Sequence, residues 1–221
     1  MNCRVVDLGC IDYLAAYQKQ KQAVAEVIAG QEQIIFLCEH PSVLTLGRLA
    51  KTEHILTPRE DLERQGIAVH EIDRGGEVTL HSPGQLVVYS ILDLRNYKMD
   101  LHWYLHQLEQ VVIDFLKEFA ILSDRLLGKT GVWVGQNKIA SIGVGVKKWI
   151  TFHGLAVNVN TDLNLFSLIK PCGLDVRMTS IQKIIKQKVK MDLAKKEMLK
   201  VFAQNFHLRC DQRGVLTEIM R

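Results

Sequence analysis

Arg74-Gly75-Gly76-Glu77-Val78-Thr79-Leu80-His81-Ser82-Pro83-Gly84-Gln85 runs directly into the apolar segment Leu86-Val87-Val88-Tyr89-Ser90-Ile91-Leu92-Asp93-Leu94. The first half is not a helix. Gly75-Gly76 gives the backbone freedom and lets another group approach closely, and Pro83-Gly84 signals a turn. The second half is rich in β-branched and aromatic residues and reads as a buried strand. A loop carrying Arg74 and His81, pinned by such a strand, is suited to be one wall of a binding site. The same residues also fit a hairpin corner with a surface arginine, and the pattern alone leaves both readings open.

Upstream, Asp12 is placed to cap a helix that Gly30 ends, with Leu14, Tyr17, Val24, Val27 and Ile28 as its apolar face. Short strands are predicted over 34–38 and 43–46, a helical turn over 59–65, and a strand over 67–72 that leads into the Gly-Gly loop. Downstream, Leu101, Leu105, Leu108, Val112 and Phe115 recur at helical spacing within 100–121. His102 and His106 lie four apart on that helix, but without an adjoining Glu or a third ligand they do not make a metal site. Residues 130–160 read as three strands, 162–169 as helical turns, and 192–206 as a last helix with Leu193, Leu199, Phe202 and Phe206 inward. Thr179 or Ser180 would cap the helix before it. Mixed strands and helices with no repeat or linker predict one α+β domain over 1–221, with a mixed, mostly antiparallel sheet and flanking helices.

Composition narrows the function. At 221 residues, 48% hydrophobic and 24% charged, the chain has the make-up of a globular protein with a sizeable core. A net charge of +4 favours acidic partners, yet the aromatics do not interleave with Lys and Arg as a nucleic-acid surface requires. No apolar run is long enough for a membrane span, and the N-terminus does not read as a signal or transit peptide, so a cytoplasmic location is expected. Cys3, Cys10, Cys38, Cys172 and Cys210 are odd in number and widely spaced, which argues against a disulfide framework or a zinc site. No Walker motif or strand–helix Gly-x-Gly-x-x-Gly supports a nucleotide cofactor. No metal or cofactor is expected.

Two residues carry potential chemistry. Cys172 sits in Lys170-Pro171-Cys172-Gly173, where the flanking Pro and Gly predict a tight backbone that presents the side chain, although a lone cysteine is more often an inert core residue; Cys38 in a strand reads as structural. A thiol near pKa 8.5 needs a cation or His to act at neutral pH, and Lys138, His81 and His153 are candidates. Lys138 opens the small, apolar Lys-Ile-Ala-Ser-Ile-Gly-Val-Gly-Val. Desolvation there would make it a usable base, though a solvent-facing hairpin lysine fits the pattern equally. Ala140, Ser141, Gly143 and Gly145, with Gly154-Leu155-Ala156 after His153, leave room for an acyl chain over the strands.

Taken together these pieces resemble the lipoyl (octanoyl) transferases. Arg-Gly-Gly-x-x-Thr-x-His-x-Pro-Gly-Gln matches 74–85, and Lys-Ile-Ala-x-Ile-Gly-Val matches 138–144. His-Gly-x-Ala-x-Asn matches 153–158, Pro-Cys-Gly with a following Thr-Ser matches 171–173 and 179–180, and 39–48 is similar to the family's early block. Two departures are Leu80 and Ser82 where the family commonly has Tyr and Gly around the His, and they bear on acyl-chain preference. The resemblance implies the fold of biotin and lipoate protein ligases. It implies transfer of octanoyl from acyl carrier protein to a lysine of lipoyl domains, those of 2-oxoacid dehydrogenase E2 subunits and the glycine-cleavage H protein. It implies Cys172 as the acylated nucleophile and Lys138 as the residue that lowers its pKa. The substrate site would be Arg74, Gly75, Gly76, Glu77, Val78, Thr79, Leu80 and His81, with Ser141, Ile142 and Gly143 and with Gly154, Leu155 and Ala156. An ATP-dependent ligase of the same fold, which needs no cysteine, is the alternative, and so is a non-catalytic lipoyl-domain binder. Lys183, Lys186, Lys188, Lys190, Lys195, Lys196 and Lys200 are candidates for steering an acidic carrier, and equally a solvated helix face; Arg48 and Lys147-Lys148 are candidates too.

Overall fold

The structure, a computed structural model, describes residues 1–170 and 176–211. Its centre is the predicted strand, here β6 (Gln85–Ile91), in which every residue is buried. The chain order is β1 (Asn2–Cys10), α1 (Tyr13–Ile28), β2 (Gln33–Glu39), β3 (Val43–Leu46), α2 (Arg59–Arg64), β4 (Ala68–Glu71), β5 (Val78–His81) and β6. It continues through α3 (Leu101–Lys117), β7 (Asp124–Leu126), β8 (Lys129–Val134), β9 (Asn137–Lys147), β10 (Ile150–Asn158), α4 (Ile181–Ile185), α5 (Met191–Asn205) and β11 (Arg209–Asp211). Among the described residues the large sheet has eight strands in the order β11-β1-β2-β6-β10-β9-β8-β7. β1 pairs in parallel with β2 and β11, and every other pairing in this sheet is antiparallel. The protein is therefore α+β with a mixed, mostly antiparallel sheet, as the order of elements predicts.

Alternation along β6 explains the layering. Leu86 and Val88 join the large core built with α3 and α5, while Val87, Tyr89 and Ile91 face α1. A three-stranded sheet, β4-β3-β5, encloses a third core with Leu44, Leu62, Val78, Leu80 and Phe166. The caps act as predicted: Asp12 accepts from the Ala15 N–H and Ser180 from the Lys183 N–H. No described helix is long and apolar enough to cross a membrane.

Several expectations are corrected. The stretch 74–85 is not loop throughout, because Val78–His81 pairs antiparallel with β3. Neither β1 nor β11 was expected. Leu14, Leu101 and Leu193 are exposed. The buried face of α1 is instead Tyr13, Ala16, Gln20, Ala23, Val24 and Val27. Small alanines let that helix lie close to the sheet, and they carry little weight in a periodicity reading.

Candidate active site

A cavity of about 390 Å³ lies between the Arg-Gly-Gly loop and strands β9 and β10. Its floor is made of paired small residues: Gly143 opposes Gly154, and Ser141 opposes Ala156. The loop is fastened to the floor by the Gly75 N–H, which donates to the Val144 carbonyl at 2.9 Å. Arg74 is buried and donates through Nη2 to the Thr45 carbonyl (2.8 Å) and Oγ1 (3.0 Å), and through Nη1 to the Gly75 carbonyl (3.0 Å). Its side chain crosses Gly143 so closely that a Cβ there would stand 3.1 Å from Arg74 Cδ. A Cβ on Gly47 would meet the Gly76 carbonyl oxygen at 2.3 Å, which no side chain tolerates. Gly47 and Gly143 are thus required by close approach, whereas Gly76, at φ +84°, is required by its backbone conformation.

Lys138 stands at one end. It is 2% exposed, so the hairpin that precedes it does not present it to solvent. The β8–β9 register shifts between Val132 and Trp133, pairing Val132 with Ala140 but Trp133 with Lys138. That irregularity re-aims the strand, so that Ile139 and Ala140 both join the large core while Lys138 lines the cavity. Lys138 Nζ lies 5.6 Å from the centre of the Trp133 ring. Its backbone is clamped by the segment beyond the cysteine: its N–H donates to the Arg177 carbonyl, and its carbonyl accepts from the Thr179 N–H, both at 2.9 Å. Cys172 lies outside the described residues. On its N-terminal side the Lys170 N–H donates to the His54 carbonyl at 2.8 Å, and on its C-terminal side Val176 lines the cavity.

The other end is a buried group of imidazoles and phenols. His40 Nδ1–H donates to the Ile11 carbonyl, and its Nε2 accepts from the Tyr89 hydroxyl, each at 2.7 Å. His81 Nδ1–H donates to Gln85 Oε1 (2.8 Å), whose amide donates to the Leu80 carbonyl and to Asn158 Oδ1, which fixes the tautomer. Burial, reinforced by His40, pushes His81 down to about 3, so the ring is neutral. Burial also lowers His153, opposed by Asp73, whose Oδ1 takes the His153 Nε2–H at 3.2 Å and the Tyr17 hydroxyl at 2.7 Å. The His153 hydrogen bond, helped by that of Tyr17, holds Asp73 down at about 2.

The cavity wall gathers Arg74, Gly75, Gly76, Glu77, Val78, Thr79 and His81, Lys138, Ser141, Ile142 and Gly143, and Gly154, Leu155 and Ala156. Leu80 is the exception. The pleat of β5 turns it away from the cavity into the small core beside Leu44 and Leu62, and it is fully buried. Tyr13, Tyr89, Trp133 and Leu105 also line the cavity without having been expected. Tyr89 carried a signal in its strand next to the motif; Tyr13 and Leu105 come from distant helices and carried none. His106, of the histidine pair on α3, bonds Glu109 through Nδ1 at 3.1 Å.

Residues 12–203 match the model of the lipoyl protein ligase A/B catalytic domain. An octanoyltransferase of Gloeobacter violaceus is 41% identical over 211 residues, 95% of this chain and 92% of that protein. Among solved structures, a lipoate-protein ligase A bound with ATP superposes with a TM-score of 0.76 at 18% identity, covering 96% of this chain and 89% of that one. A biotin protein ligase from Aquifex aeolicus, in complex with biotin and ATP, gives 0.57 at 15% identity over 93% and 70%. The structural likeness shows the fold, and the sequence match decides between its branches: this chain belongs to the lipoyl protein ligase A/B catalytic-domain family and is an acyltransferase of the octanoyltransferase group.

Proposed function

We propose that the protein moves an octanoyl group from acyl carrier protein to a lysine of lipoyl domains, through an octanoyl thioester on Cys172. The acceptors are the lipoyl domains of 2-oxoacid dehydrogenase E2 subunits and the glycine-cleavage H protein, and the whole chain acts as one catalytic unit in the cytoplasm. The observation that carries this reading is a buried lysine in the wall of an acyl-sized cavity, backbone-clamped to residues 177 and 179, which follow Pro171-Cys172-Gly173 closely in the sequence.

The steps balance without ATP. The Cys172 thiolate attacks the donor thioester carbonyl, and the carrier's thiolate leaves with the proton of the Lys138 ammonium. The lysine is now neutral. The acceptor amine attacks the Cys172 thioester, its surplus proton passes to Lys138, and the Cys172 thiolate is released as the amide forms. One thioester is spent for one amide, and the thiolate–ammonium pair is restored. The small-residue floor holds the octanoyl chain against Ser141, Gly143, Gly154 and Ala156. Two of the lysines put forward for steering the carrier are already engaged, Lys195 with Asp7 and Lys200 with Glu118 and Glu197. The steering candidates are therefore the exposed Lys183, Lys186, Lys188, Lys190 and Lys196, with Arg48, Lys147 and Lys148, which are exposed as well.

The test is intact mass after incubation with octanoyl-acyl carrier protein. The wild type should gain one octanoyl group, mapped to the Cys172 peptide and lost on adding a lipoyl domain. Cys172→Ser should gain none and transfer nothing. Transfer at the normal rate by Cys172→Ser would rule out the covalent route, and a strict ATP requirement would point to a ligase.

A further inference from the structure

Glu109 is a helical residue of α3, it does not line the cavity, and it is only 5% exposed. Buried carboxylates are costly unless fully bonded, and this one is. Its Oε2 takes Arg125 Nε at 3.0 Å and His106 Nδ1 at 3.1 Å, and its Oε1 takes the backbone N–H of Gly131 at 3.0 Å. Arg125 is itself braced by the His106 carbonyl (2.9 Å) and Gln110 Oε1 (3.1 Å). The assembly ends on the Gly131 peptide, and that peptide forms the surface against which Lys138 lies. A Cβ at Gly131 would stand 2.6 Å from Lys138 Cε, 3.2 Å from Lys138 Nζ and 2.6 Å from the Ala140 carbonyl. Gly131 also has φ of +123°, a backbone that side chains rarely adopt. The end of the Lys138 side chain thus occupies space that only a glycine in this conformation leaves open, and Glu109 fixes that conformation from behind.

We propose that Glu109 is a positioning residue for Lys138, acting through the Gly131 peptide. It touches neither substrate nor thiol; it sets where the ammonium sits. The inference rests on the reading that Lys138 activates Cys172.

The test reads the alkylation rate of the Cys172 peptide against pH, by peptide mass, so that the other cysteines do not interfere. Glu109→Leu removes the acceptor. It should slow alkylation near neutral pH by about tenfold, the worth of one charged hydrogen bond, and move the profile to higher pH. Glu109→Gln keeps an oxygen for the Gly131 N–H and should stay close to wild type. In a Lys138→Ala background, Glu109→Leu should add nothing, because coupled residues are not additive. If Glu109→Leu fails to fold, Glu109→Asp gives a second lever: it keeps the charge for Arg125 and His106 but withdraws the acceptor from the Gly131 N–H, with the same loss expected and the same dependence on Lys138. Equal losses with and without Lys138, or unchanged reactivity in a folded Glu109→Leu, would overturn the proposal. Wild-type Cys172 reactivity in Lys138→Ala would instead overturn the reading beneath it.

Discussion

The two ends of the cavity handle ionisable groups in opposite ways. At the α1 end three histidines are packed among tyrosines, with Tyr13 stacked on His81 and Tyr17 on His153. Burial drives His40, His81 and His153 toward the neutral form. At the α3 end a lysine is buried against a glycine peptide that a carboxylate holds. The ends share one floor, and six positions of β9 separate Lys138 from Val144, the partner of His153, roughly 20 Å of strand. A ring held near pKa 3 is too weak a base to take a proton from an amine, so His81 is a wall rather than a base. Under the proposed mechanism, proton movement falls to the Lys138 end and shape to the histidine end.

Lys138→Arg attacks this division hardest. Arginine keeps the charge but cannot become neutral. Alkylation of Cys172 should survive in part while turnover falls about 10²–10⁴-fold, the usual worth of general-base assistance. Lys138→Ala should lose both. Turnover like wild type in Lys138→Arg would return the base role to His153 or His81.

Ser141→Leu probes the shared floor. Added bulk beneath the acyl chain should lower kcat/KM for octanoyl by about tenfold, within the range for one pocket group, and spare a butanoyl donor. An equal loss for both donors would mean that the chain does not run over Ser141.

His81 predicts a pH-dependent stability. Its folded pKa, about 3, lies below the unfolded value of about 6.5, so the unfolded state binds more protons between them. Stability should be flat above about pH 6.5 and fall as pH drops toward 3. The loss from this one group at pH 5 is about 2 kcal/mol, from 1.36 kcal/mol per unit. Urea titrations at pH 7 and pH 5 check it, and His81→Gln should shrink the difference. An unchanged slope would mean that His81 is solvated.

The smallest effect belongs to Asp73. Its folded pKa is depressed to about 2, so its contribution is present above the unfolded carboxylate value and lost as pH falls through about 2. The side chain is 46% exposed, and solvent screening reduces the worth of the His153 contact to about 1 kcal/mol. Asp73→Asn should cost that much at pH 7 and nothing near pH 2. A cost that persists in acid would mark Asp73 as a packing residue.

Much was legible in the sequence because it is local. A run of β-branched and aromatic residues marked β6, capping side chains marked the starts of α1 and α4, and Gly-Gly, Gly143 and Gly154 marked places where backbones meet. The fold class followed from the order of these elements. What only the tertiary structure decided involves partners far apart in the chain. Tyr13 reaches the cavity because α1 packs across β6 and β10. Leu80 belongs to the motif yet leaves the cavity, because pairing with β3 makes its segment a strand, and a strand alternates its faces. Lys138 could be surface or site by pattern, and a register shift against β8 settled that it is buried. Glu109 looks like any helix carboxylate until α3 brings it to Gly131, 22 residues on. Periodicity reports which face of an element is apolar; which neighbour that face meets is set by packing between elements, and no local pattern encodes it.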